Sequence, residues 1–247
     1  MFVSLRHKVT VALLAIYWPV FFIFAHIPFP DKIRAAGVSD KGLHFLAYMV
    51  LTFLLWFSLR PNDRVRWRDR WVWLVLATVL LYAVADEVTQ GMVGRNCDVW
   101  DLIADAAGAI GALVLTSLMG FWPVALMLAG TVLFGIANVT RVNLADVVPI
   151  SSSVFHLAGY ATFTALWIQW QRLIPTGSIP SIRHLLCTLS LPLGFLGGVT
   201  ASAAILQRDI SIRDTGLSVV AIVATAGVFA ARAMYHSKCR GNTQRKL

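Results

Sequence analysis

The sequence predicts an all-α, polytopic membrane protein, and three observations carry that prediction. The 247-residue chain is 58% hydrophobic and only 13% charged, where a soluble domain carries about 25% charge. Its apolar stretches are near-continuous, as in VALLAIYWPVFFIFA (11–25) and VALMLAGTVLFGIANV (124–139). These runs do not alternate with a period of two, which excludes a membrane β-barrel and leaves helices.

Crossing the hydrocarbon core takes about 20 apolar residues. Eight stretches meet that need, at about 9–27, 42–59, 71–90, 102–119, 121–139, 154–171, 185–205 and 216–235. The first is followed by HIPFPDK (26–32) with no small-residue cleavage site, so it reads as a retained helix, not a signal peptide. With the N-terminus in the cytoplasm, fourteen Lys and Arg fall on the inner side and seven on the outer. That asymmetry predicts cytoplasmic N- and C-termini in a bacterial inner membrane. The formal charge of +9 is then a topology signal that also attracts anionic inner-leaflet lipid. The basic residues are scattered over several loops and form no nucleic-acid motif. Three cysteines without a shared oxidising compartment argue against a disulfide framework, and their spacing excludes a zinc ribbon.

Two units are expected, 1–120 and 121–247. GLHFLAYMVLTFLLW (42–56) and VFHLAGYATFTALW (154–167) share a His followed four residues later by a Tyr, His44 with Tyr48 and His156 with Tyr160. RNCDVWD (95–101) lines up with RDISIRD (208–214). Four spans per unit keeps both in one orientation, so a parallel tandem repeat is one reading and chance likeness of apolar helices the other. The second unit has Ala203 and Ala204 where the first has acidic and amide groups, and ends in a basic cytoplasmic tail. It therefore reads as a degenerate copy.

The chemistry gathers in DEVTQGMVGRNCDVWDLIADAAG (86–108), which carries five acidic groups and an arginine between apolar flanks. His44 and Tyr48 are one turn apart near the outer end of span 2. Glu87 and Gln90 share the outer end of span 3, and Asp98, Asp101 and Asp105 follow a three-then-four spacing at the start of span 4. All reach a similar depth, in the outer leaflet. Ionisable groups inside a membrane are expensive and face protein or water, so an outer-leaflet polar pocket is expected. Arg95 is its nearest counter-charge, a planar fork suited to a carboxylate or a phosphate. Structural roles compete at several positions: Asp98 or Asp101 as cap of the fourth helix, Tyr48 as a packing residue, His44 as a core histidine, Gln90 as an interhelical link. The small-residue stripes ADAAGAIGA (104–112) and GFLGGVTAS (194–202) are expected to let helices approach closely.

DKGLHFLAYMVL (40–51) and the block 86–112 resemble the two signature blocks of the VanZ-like bacterial membrane proteins, over about residues 10–118. The family pattern maps onto Asp40, Lys41, His44, Tyr48, Glu87, Gln90, Gly94, Arg95, Asp101 and Gly108. Many relatives carry Asn where this chain has Asp105. The resemblance implies a cell-envelope protein, linked in some relatives to reduced susceptibility to glycopeptides such as teicoplanin; family alone does not define the chemistry. The expected catalytic residues are His44 as acid or base, and Glu87 and Asp101 as base or metal ligands. The expected ligand-binding residues are Lys41, Tyr48, Gln90, Arg95, Asp98 and Asp105. The expected partners are membrane lipids and an anionic envelope lipid or cell-wall precursor, with no nucleic acid. No cofactor is assigned and no metal site is committed to. A non-enzymatic protein that binds or shields an envelope lipid is the alternative, and a transporter is the third reading.

Overall fold

A computed structural model describes residues 4–26, 40–92, 98–139, 149–172, 182–207 and 211–244. The described residues form eight α-helices and no strand: α1 (Leu5–His26), α2 (Asp40–Leu59), α3 (Arg70–Met92), α4 (Val99–Leu118), α5 (Phe121–Phe134), α6 (Pro149–Gln171), α7 (Ile182–Ile205) and α8 (Ile212–Gln244). A single π-helical turn, Gly135–Val139, extends α5. Seven of the helices are long and apolar enough to cross a membrane. α6 is as long, but Ser152, Ser153, His156 and two glutamines hold its hydropathy below theirs, so the eighth expected span is a helix of more polar character.

The chain divides into two compact units, Met1–Val124 and Ala125–Leu247. In the first, α2 packs most extensively against α4, with α1 laid over α2 and α3. Lipid offers no hydrophobic drive for helices to associate, so close steric fit has to hold them. Gly108 supplies that fit: a Cβ there would overlap the Phe45 carbonyl and crowd the Met49 nitrogen. Only a glycine lets these two backbones meet. The core around the seam contains Tyr48, Leu51, Leu113 and Ala109, all buried. Tyr17 of α1 donates to the Ala47 carbonyl at 2.9 Å. At the other end of the unit Phe53, Phe57 and Phe121 form a cluster with centroid separations of 4.9–5.3 Å.

The loop between α2 and α3 is pinned by charge. Arg60 pairs with Asp63 at 2.8 Å and with Asp69 at 3.4 Å, Trp56 donates to the Asp63 carbonyl, and Arg6 donates to Asn62 and to the Pro61 carbonyl. Asp69 accepts from the Trp71 N–H at the start of α3, the local geometry of a helix cap.

In the second unit α6 packs most extensively on α8, and α7 packs on both. Leu126, Leu133, Tyr160, Phe163, Leu196 and Ile222 form its buried centre. Gly159 lies against Leu133, where an added Cβ would come within 2.5 Å. The GFLGGVTAS stripe behaves otherwise than expected: a Cβ on Gly194, Gly197 or Gly198 meets nothing within 4 Å. Small residues at i, i+4 are necessary for a close seam, but the partner backbone must also arrive there. Around this stripe none of the described residues does.

Candidate functional site

The site is built at one end of the first unit, from the first turns of α2 and α4 and the last turns of α3. α2 brings Lys41, His44 and Tyr48; α3 brings Asp86, Glu87 and Gln90; α4 brings Asp98, Asp101 and Asp105. Four carboxylates here are buried: Asp86, Glu87, Asp101 and Asp105. Burying them is costly unless each is hydrogen-bonded or paired, so their partners define the site.

His44 is the hub. Its Nδ1 lies 3.0 Å from Asp105 Oδ1, and its Nε2 lies 4.0 Å from Asp101 Oδ2. The first contact fixes the orientation of the ring, since a carboxylate on one nitrogen commits the other to what lies beyond. The α2–α4 seam explains the geometry. Phe45, which touches Gly108, directly follows His44, and Asp105 lies one turn before Gly108. The glycine contact therefore brings the imidazole to the carboxylate.

Lys41 bridges the rim. Its ammonium is 2.8 Å from Asp98 Oδ2 and 3.3 Å from Asp101 Oδ1. Asp98 caps α4, accepting from the Trp100 N–H at 2.9 Å. The Lys41 ammonium first, and then the Trp100 N–H, hold the Asp98 carboxyl below the usual carboxylate range. Glu87 ties α3 to the start of α4: its Oε2 accepts the Asp98 N–H at 3.1 Å. Gln90 donates to Asp86 Oδ2 at 2.9 Å, so it serves a carboxylate on its own helix. Tyr48 is fully buried, edge-on to Phe21 and 6.0 Å from Tyr82.

Of the nine residues expected from the sequence, eight come together here. The ninth, Arg95, lies outside the described residues, as do Gly94 and Cys97. Of the two acids considered as caps, Asp98 takes that role. Asp105, expected as a ligand-binding residue, is also the direct partner of His44.

Two contributors were missed. Asp86 is as buried as its neighbours, and His26 of α1 approaches it at 3.8 Å. His26 is itself held by Thr89 at 2.6 Å and the Phe22 carbonyl at 2.8 Å. The four-residue spacing of Asp86 and Gln90 was a usable signal for Asp86. No sequence signal placed the end of α1 beside the end of α3.

In the second unit, α6 and α8 also meet through polar side chains. His156 Nδ1 lies 3.0 Å from Ser218 Oγ where His44 has Asp105. Ser152 and Ser153 donate to Asp214 at 2.7 and 3.4 Å. Thr164 donates to the Tyr160 carbonyl as Thr52 does to that of Tyr48. Only one carboxylate, Asp214, faces this contact set among the described residues.

No curated protein and no solved structure matches the chain. The model of the VanZ/LLP1 family matches residues 5–120, the stretch that contains every residue of the buried site. The chain is thus a multi-helix membrane protein whose first unit belongs to the VanZ-like family.

Proposed function

We propose that the VanZ-like unit processes the headgroup of an anionic envelope lipid or lipid-linked cell-wall precursor, from the outer leaflet of a bacterial inner membrane, with both chain termini in the cytoplasm. The observation that carries this reading is the convergence of His44 with four buried carboxylates from two other helices, at one end of the unit. Scaffolding does not require so many buried ionisable groups, and such groups cluster where protons are moved. His44, oriented by Asp105, is the acid or base, and Glu87 or Asp101 is the complementary base. Lys41, at the half-exposed rim, and Arg95 supply positive charge for a phosphate.

An apolar groove supports a lipid substrate. It is lined by Val11, Leu14, Trp18, Pro19, Phe22 and Tyr82. Tyr82 lies one turn before Asp86, about 6 Å along the helix axis. An acyl or isoprenoid chain held there places its headgroup toward the carboxylates. The second unit is read as a tandem, degenerate copy: its matching contacts retain His and Tyr but replace most of the charged groups, which suits a scaffold.

The test compares lipid and cell-wall-precursor profiles of cells making the native chain with cells making equal amounts of Glu87→Gln. A species that changes only with the native chain identifies the substrate class. Identical profiles refute the enzymatic reading and favour the second one, a protein that binds or shields an envelope lipid or lipoglycopeptide. The exposed ammonium of Lys41 favours that alternative, which predicts saturable binding of an anionic amphiphile. A contribution to teicoplanin tolerance is checked in the same strains by the minimum inhibitory concentration.

A further inference from the structure

His44, Glu87 and Asp105 come from three different helices and all are buried. One ligand-type atom from each lies within 4.8 Å of those of the other two. Half of each carboxylate is already engaged, Glu87 Oε2 by the Asp98 N–H and Asp105 Oδ1 by His44. The other halves are not: Glu87 Oε1 and Asp105 Oδ2 find no hydrogen-bond partner among the described residues, although the two residues are only 3% and 0% exposed. Leaving such oxygens bare is unfavourable. Lys41 does not relieve it, because its ammonium pairs with Asp98 and Asp101.

We propose that His44, Glu87 and Asp105 bind one divalent transition-metal cation of the Zn²⁺ or Mn²⁺ class. One imidazole and two carboxylates suit such ions better than a purely oxygen-liganded Mg²⁺ or Ca²⁺ site. Ligand atoms on a single ion of this kind stand about 3–4 Å apart, so the cluster, within 4.8 Å as it stands, needs to contract by up to about 2 Å. Three protein ligands leave coordination positions open, as in catalytic metal sites. There the ion polarises a phosphoryl or carbonyl oxygen of the ligand. Its use rests on the lipid-headgroup reading above, but its existence does not. With His44 and Glu87 committed to the ion, Asp101 at the rim is left as the proton acceptor.

The test uses the full chain purified in detergent, stripped with a chelator, and titrated with Zn²⁺ and separately with Mn²⁺. The expected result is one ion per chain, with affinity lowered at least about tenfold by Glu87→Gln or Asp105→Asn. Asp63→Asn, in the α2–α3 loop, binds as the native chain does. A measurement on the native chain alone stands beside the variants: the bound ion protects His44 from acylation by diethyl pyrocarbonate, read by mass spectrometry. No stoichiometric binding of either ion, or equal acylation of His44 with and without ion, overturns the proposal. Native-like binding by both variants also overturns it. If no ion binds but Glu87→Gln still abolishes lipid turnover, the enzymatic reading survives without a metal. If the ion binds and no lipid changes, the cation seat stands and the enzymatic reading falls.

Discussion

Gly108→Ala tests the link between helix packing and the site most directly. The added methyl overlaps the Phe45 carbonyl oxygen, crowds the carbonyl carbon, and comes within 3.2 Å of the Met49 nitrogen. All three are backbone atoms, so relief requires α2 and α4 to separate. Forcing an extra carbon into a packed interior costs about 1–3 kcal/mol. Alanine's higher helix propensity returns about 1 kcal/mol. The expected outcome is a net loss of up to about 2 kcal/mol.

Gly111→Ala is the matched control. Its added methyl meets only the Phe45 ring, at 3.8 and 3.9 Å, which is ordinary contact. That variant should be neutral or gain up to about 1 kcal/mol. Equilibrium unfolding in mixed detergent reads both variants. Separation of the helices also lengthens the 3.0 Å contact between His44 and Asp105, so Gly108→Ala should lose activity or ligand binding while Gly111→Ala retains it. Equal stability of the two variants would refute the reasoning, because it would mean that the backbones do not meet at Gly108.

Glu87→Gln keeps an oxygen that accepts the Asp98 N–H, so its thermal unfolding should match the native chain while turnover falls by about 10²–10⁴-fold; a comparable loss of folded protein would make Glu87 structural. Lys41→Met removes a half-exposed ion pair and should leave thermal unfolding nearly unchanged, yet weaken binding of an anionic headgroup, as measured with vesicles of anionic against zwitterionic lipid. Asp98→Ala removes both the cap of α4 and the Lys41 contact and should lower the thermal unfolding midpoint, whereas Asp98→Asn should retain most of the cap. Because Lys41 depresses the Asp98 carboxyl, its stabilisation is full above the ordinary carboxylate value, about pH 4, and is lost as pH falls through the lowered one; unfolding of native and Asp98→Asn chains should therefore converge in acid. Asp214→Asn, in the second unit, should leave the lipid profile unchanged; a changed profile would show that this unit is more than a scaffold.

Helix number and position were legible because burial in lipid imposes length and apolarity on each segment independently of its neighbours. All eight helices lie where apolar runs were read, and α6 departs only in its polarity. That His44, Glu87 and Asp105 lie toward one end of the first unit was legible for the same reason: position along a long apolar helix translates into position along the bundle. Which residues touch was not. Asp101 and Asp105 share one face of α4, and with the backbones meeting at Gly108 it is Asp105 that makes the 3.0 Å contact with His44 while Asp101 stands 4.0 Å away. The two small-residue stripes look alike in sequence, yet only the one through Gly108 meets a partner backbone.

The sequence by itself determined the solvent this chain lives in, the number of helices and the end of the first unit where its acids collect. These follow from local composition, which each segment expresses alone. Only the tertiary structure decided that His44 pairs with Asp105, that Asp98 takes the cap and Lys41, that His26 and Asp86 join the site, and that Glu87 and Asp105 each keep one buried oxygen without a hydrogen-bond partner among the described residues. The physical reason is that rotation and approach between helices are fixed by steric contact between distant residues, and that contact is not encoded in the periodicity of any one segment.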